Sequence, residues 1–221
     1  MLFAEPPAFH GFPEDGFSVF STRDRERRRR AIIEAFHPAL SALGQDLLPK
    51  LCVGDSEPLH THLPRLDWPR GYQPFCTWLV LSRGSHGYQS GPQLNVGVHA
   101  DHVGVRLGWD AGSLEFGRFE FLCRYGHLRD QLLAIAEAHD LQFAVFASAP
   151  WPEGSCRVFA SRDDIDRSFD QVHRRGVWWE IGRRYGVPDD KSCLCSAEFG
   201  AEAARILRAL LPIYLRLIGE G

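Results

Sequence analysis

Five polar residues fall at positions where their chemistry converges: Gln93, Asn95, His99, His102 and Arg106. Imidazoles move protons near neutral pH and ligate metal ions. A guanidinium holds carboxylates and phosphates through paired donors, and the two amides supply both donors and acceptors. These residues lie in the stretch Pro92 to Trp109, in which apolar and polar side chains alternate with glycines interspersed. Alternation is the strand period, so one face collects Leu94, Val96, Val98, Val103, Val105, Leu107 and Trp109 while the five polar residues share the other. A hairpin turning at Ala100-Asp101 pairs His99 with His102 and Asn95 with Arg106. A slip of one residue would bury Asn95 and Arg106 among the valines, so burial fixes the register.

The expected function follows from that polar face. Gly97, Gly104 and Gly108 lie in its rows, and glycine within a strand permits close approach of a ligand, a helix or another backbone. The five side chains could then hold a small polar or anionic ligand. The competing reading is a face turned to water, common in antiparallel sheets. A metal-dependent enzyme is the alternative from another class: His60 and His62 share a face, His99 and His102 are cross-strand neighbours, and either pair could give two imidazoles to one ion, zinc by ligand type. A third reading joins the basic run Arg23 to Arg30 to the aromatics Trp68, Tyr72 and Tyr88, which could stack nucleic-acid bases. Asp24, Glu26 and Glu34 lie at helical spacing from Arg28 and Arg30, so ion pairing on a solvated helix face competes with it.

Bulk properties narrow the classes. The 221 residues carry a net charge of −3, which gives no overall attraction to nucleic acid or an anionic membrane. Apolar stretches such as Leu210 to Leu217 fall short of the roughly 20 residues that span a bilayer. MLFAEPPAFHGF places acid and proline where a secretion signal needs basic and then apolar residues. The expectation is a cytoplasmic chain. Its 6 cysteines show no repeated CxxC, which makes reduced thiols the expectation, and Cys193 with Cys195 has the wrong spacing for a redox or zinc motif. There is no G-x-S-x-G, P-loop or H-E-x-x-H, so no catalytic residue is indicated and neither enzyme status nor a cofactor follows.

The elements that must position these residues read as α+β. Residues 1–16 form an aromatic arm, and 17–221 a single domain. Ser21 or Thr22 opens a helix that His37-Pro38 breaks; Leu40, Leu43, Leu47 and Leu51 mark its continuation. Leu59 to Leu63, Phe75 to Ser82, the 92–109 hairpin, Phe119 to Cys123, Gln142 to Ala147, Cys156 to Ala160 and Gly176 to Arg184 read as strands. Helices follow Leu128, Ile165 and Phe199. Strands in hairpin order with helices at the ends point to an antiparallel sheet.

Several pieces in this order resemble the YktB-like bacterial proteins, a domain family of unknown function. They are Phe17 and Phe20; Pro38, Leu40, Leu43 and Gly44; Thr77 and Trp78; Gly87 and Tyr88 through Pro92 to Gly97; His102; Glu180 and Gly182; and Leu211, Pro212 and Tyr214. The chain departs from the family pattern at Cys76, Gln89 and Gln93, where aspartate, lysine and often histidine stand. The resemblance implies a curved, mainly antiparallel sheet with flanking helices, similar to TATA-box-binding-protein-like folds. It implies no activity, because fold alone carries none.

Overall fold

A computed structural model describes residues 8–52, 58–66, 74–83, 91–146, 156–159, 164–175 and 178–219. The fold is α+β, with an open antiparallel sheet and flanking helices. In chain order the elements are α1 (Arg25–Lys50), β1 (His60–His62), β2 (Cys76–Ser82), β3 (Gln93–His99), β4 (His102–Asp110), α2 (Leu114–Tyr125), α3 (Leu128–His139), β5 (Gln142–Phe146), β6 (Cys156–Phe159), α4 (Ile165–Arg175), β7 (Trp178–Gly186), α5 (Lys191–Leu194) and α6 (Glu198–Leu217). The seven strands lie in the order β1-β2-β3-β4-β7-β5-β6. The chain forms two compact units, Met1–Arg83 with Val96–Gly104 and Tyr185–Arg205, and Gly84–Asn95 with Val105–Arg184 and Ile206–Gly221. Among the described residues no helix is long and apolar enough to cross a membrane.

In the first unit, α1 begins less than a turn later than the sequence suggests. Asp24, not Ser21 or Thr22, caps it by accepting a 2.7 Å hydrogen bond from the Arg27 amide. Residues 16–21 instead form a 3-10 turn that buries Phe17 and Phe20. Nor does Pro38 break the helix. Ile32, Phe36, Leu40, Leu43 and Leu47 are all fully buried along one stripe, and burial of that stripe holds both halves in a single helix. Pro38 and Glu34 are exposed, so the carbonyl that loses its partner at Pro38 stays in water. Gly44 lets α1 approach the strands: a Cβ there would lie 2.9 Å from Thr61 Cγ2. Phe9 and Phe12 of the arm are buried, with Phe12 packed 5.4 Å from Phe199 and 5.9 Å from Phe36.

His37 lies 3.1 Å by its Nε2 from the Thr77 hydroxyl. Burial, and then the Arg29 charge, hold its pKa below the ordinary 6.5, so the ring is neutral in the fold. A depressed pKa contributes stability above the unfolded value and loses it as pH falls through the folded one. Acidification below about pH 6.5 is therefore expected to lower the melting temperature. His37→Gln, which keeps a polar partner for Thr77, should flatten that part of the profile, as followed by circular dichroism across pH. An unchanged slope in the variant would assign it elsewhere.

The second unit has an aromatic core of Trp109, Phe116, Phe119, Phe143, Phe169 and Trp179, each no more than 2% exposed. Trp109 stacks on Phe119 at 4.4 Å, and Trp179 Nε1 donates to Ser168 Oγ at 2.7 Å. Residues 119–123 are helical, not a strand. Ser113 caps α2 by accepting from the Phe116 amide at 3.1 Å, and Phe116, Phe119 and Cys123 recur at helical spacing on its buried side. Arg124 ties α2 to α4 through Asp170 at 3.2 Å and is held by Glu120 of its own helix at 2.7 Å. Strand β5 pairs antiparallel with both neighbours, Phe143 opposite Phe159 on β6 and Ala144 opposite Glu180 on β7.

Candidate functional site

The alternation of β3 and β4 holds. Leu94, Val96, Val98, Val103, Val105, Leu107 and Trp109 are all fully buried. The opposite residues do not face solvent: Gln93 is 5% exposed, Asn95 4%, His99 7%, His102 8% and Arg106 8%. A hairpin alone leaves such a face open, so its burial required partners that local alternation does not reveal.

In the second unit those partners are on β7. Arg106 Nε donates to Asn95 Oδ1 at 2.6 Å, and Arg106 Nη1 to Glu180 Oε1 at 2.9 Å. Trp178 Nε1 donates to the other carboxylate oxygen, Oε2, at 3.0 Å. The four residues form one chain, amide, guanidinium, carboxylate, indole, with an ion pair whose side chains are only 9% and 6% exposed. Ala144, opposite Glu180 on β5, is small enough to leave the carboxylate room.

Two glycines set this geometry. A Cβ on Gly182 would lie 2.3 Å from the Val105 carbonyl oxygen and 2.5 Å from Arg106 Cβ, so β7 approaches β4 there more closely than any side chain permits. A Cβ on Gly108 would lie 2.8 Å from the Trp178 ring. The space over Gly108 is thus taken by an indole of the same chain. Trp178 is itself half-buried and forms the solvent margin of the network.

In the first unit, His99 and His102 stack with centroids 4.2 Å apart and planes within 8°. His102 Nδ1 lies 2.7 Å from the Asp101 carboxylate, and the Asp101 carbonyl accepts from the Val187 amide at 2.8 Å, which pins the turn. Ring lone pairs lie in the ring plane, so two parallel stacked imidazoles cannot both aim at one ion at about 2.0–2.1 Å. His60 and His62 are on β1, opposite Ser82 and Val80 of β2. Among the described residues no group of three or more His, Cys, Asp or Glu is placed to hold a metal ion.

The basic run serves the fold at two of its positions. Arg28 donates to the carbonyls of Thr22 and Pro74, and Arg29 to that of Arg65. Trp68, Tyr72 and Tyr88 lie outside the described residues. Cys193 and Cys195 form no disulfide. Burial, then the Glu14 charge, push the Cys195 thiol above its ordinary range, which disfavours the thiolate a redox pair needs.

Sequence reasoning missed Glu180 and Trp178 as members of the site. The available signal was an acid within the otherwise apolar run Trp178-Trp179-Glu180-Ile181. A buried acid in such a run needs a cation, and Arg106 was already singled out.

Comparison with known proteins adds kinship. A family model described as Domain of unknown function (DUF1054) matches residues 12–119. A UPF0637 protein of Macrococcus caseolyticus is 30% identical over 204 residues, 92% of this chain and 98% of that protein. One of Listeria welshimeri is 23% identical over 209 residues, 93% and 97% of the two chains. One of Exiguobacterium sibiricum is 29% identical over 98 residues, 44% of this chain and 48% of that protein.

Proposed function

The chain belongs to the UPF0637 family, and on that premise we propose that it binds a small polar ligand at the Asn95, Arg106, Glu180 and Trp178 network, with Gln93 beside it on β3. The observation that carries the reading is the buried Arg106–Glu180 pair, on a face of β3 and β4 whose reverse holds the fully buried Leu94, Val105, Leu107 and Trp109. A buried ion pair is a poor way to stabilise a sheet, because well-packed apolar residues of the same volume do as well or better. Its chemistry suits recognition instead: a fixed donor fork, a fixed acceptor and an indole face, held in place by one another.

Glu180 refines the ligand class. Its carboxylate offsets the Arg106 charge, so an anion gains little net attraction. An uncharged or zwitterionic molecule carrying both donors and acceptors matches the pair. Entry is past Trp178, whose indole would swing from Gly108 or stack on the ligand.

Thermal-shift measurements on small amides, polyols, nucleosides and zwitterions, with carboxylates and phosphates alongside, test this. Uncharged or zwitterionic compounds are expected to raise the melting temperature of the wild-type chain. The effect should vanish in a folded Arg106→Met, Glu180→Leu double variant. Ligand shifts that persist undiminished in that variant would remove the network from the site, and shifts confined to anions would reverse the assigned class.

A further inference from the structure

Helix α2 shows two faces. Phe116, Phe119 and Cys123 are buried, while Leu114 is 90% exposed, Phe121 61% and Tyr125 77%. Phe121 and Tyr125 rest together, centroids 5.2 Å apart. With the exposed Arg118, these residues sit at 114, 118, 121 and 125, steps of four, three and four. That is the seam spacing of paired helices. Exposed apolar side chains gathered on one helix face, unlike scattered single ones, mark an interaction surface.

We propose that this stripe pairs with the same stripe of a second copy of the chain, the two helices running antiparallel. The spacing four, three, four reads the same from either end, so the stripe is complementary to its own reversed image, as a two-fold contact requires. Leu114 then meets the partner's Tyr125, and Arg118 meets the partner's Phe121. Charge decides the direction. A parallel pair would set Arg118 against its own copy, guanidinium to guanidinium. The antiparallel pair lays each guanidinium on a ring face, an attractive arrangement.

Area sets the strength. Leu114, Phe121 and Tyr125 offer on the order of 400 Å² per copy, below the roughly 800 Å² per partner of a stable standard interface. The dimer is therefore a weak one, formed at high micromolar concentration and reversible on dilution.

Sedimentation velocity of the full chain from about 10 µM to about 1 mM tests the proposal, spanning the range of such small interfaces. The weight-average sedimentation coefficient is expected to rise with concentration. Phe121→Glu should weaken association about tenfold or more, as loss of a central aromatic anchor does, with an unchanged circular dichroism spectrum because Phe121 is exposed. Arg118→Glu keeps the apolar area but sets a carboxylate against the ring, and should weaken it as well. A chain monomeric throughout, or association of equal strength in Phe121→Glu, would overturn the proposal. So would an Arg118→Glu variant that associates like wild type. Co-sedimentation with anionic phosphatidylserine vesicles in the absence of self-association would do so too, by assigning the face to a lipid surface.

Discussion

Glu180→Leu is expected to lower the unfolding free energy by about 3–5 kcal/mol, the cost of breaking a buried pair from one side. The substitution leaves the Arg106 guanidinium, 8% exposed, without the carboxylate it pairs with at 2.9 Å. It also removes the acceptor for Trp178 Nε1. Glu180→Gln keeps one acceptor oxygen but turns its amide NH2 toward Arg106 Nη1 or Trp178 Nε1, both donors; it loses the charge and one hydrogen bond and should still cost less than the leucine. The decisive variant is the double one. Arg106→Met with Glu180→Leu removes both charges, and should recover most of the loss seen in Glu180→Leu alone, because the desolvation penalty of the guanidinium disappears with its partner. Urea denaturation followed by tryptophan fluorescence gives the three numbers. A cost below about 1 kcal/mol for Glu180→Leu would mean that water reaches the pair and screens it as at a surface. The same set separates stability from recognition: if the double variant regains stability yet no longer responds to polar compounds, the ion pair is there for binding.

What the sequence reveals of this site is set by the range over which its determinants act. The two faces of the β3–β4 hairpin are local: a period of two over Leu94, Val96 and Val98, then Val103, Val105 and Leu107, needs no knowledge of the rest of the chain. The fate of the polar face is not local. Arg106 and Glu180 are 74 residues apart, and no periodicity links strands at that distance. An expectation of solvent on that face rested on what hairpins do alone. The misreadings elsewhere have the same form. Phe119 to Cys123 is a short, mostly apolar run that reads like a strand over five residues, yet the Ser113 cap and the 116, 119, 123 spacing, which extend beyond that window, dictate a helix. At His37-Pro38 the local rule for proline was correct about the lost hydrogen bond and silent about the buried stripe that outweighs it. The kinship of the chain, by contrast, was legible because it rests on the order of many short pieces rather than on any single one.

Gly182→Ala is expected to be the most damaging single-methyl substitution in the second unit, lowering stability by about 3 kcal/mol or more, at the upper end for overpacking. The added Cβ would meet the Val105 carbonyl oxygen at 2.3 Å, Arg106 Cβ at 2.5 Å and Arg106 Cα at 2.7 Å. Two of those are backbone atoms, so no rotamer change relieves the contact; β7 must move away from β4, and the Arg106–Glu180 bond must lengthen with it. Two other glycines of the unit make a graded control. At Gly108 the obstacle is the Trp178 ring, at 2.8 to 2.9 Å. A side chain can turn aside, so Gly108→Ala should cost less than Gly182→Ala while disturbing the Trp178–Glu180 hydrogen bond and with it the indole fluorescence. At Gly117 on α2 a Cβ would meet nothing within 4 Å. Gly117→Ala, measured at low protein concentration, should therefore stabilise by up to about 1 kcal/mol through helix propensity alone. The order of the three, measured by chemical denaturation, tests whether the close approach of β7 to β4 positions the ion pair. If Gly182→Ala is no worse than Gly108→Ala, the strands have slack at Arg106, and the pair is held by its own hydrogen bonds rather than by the spacing of the sheet.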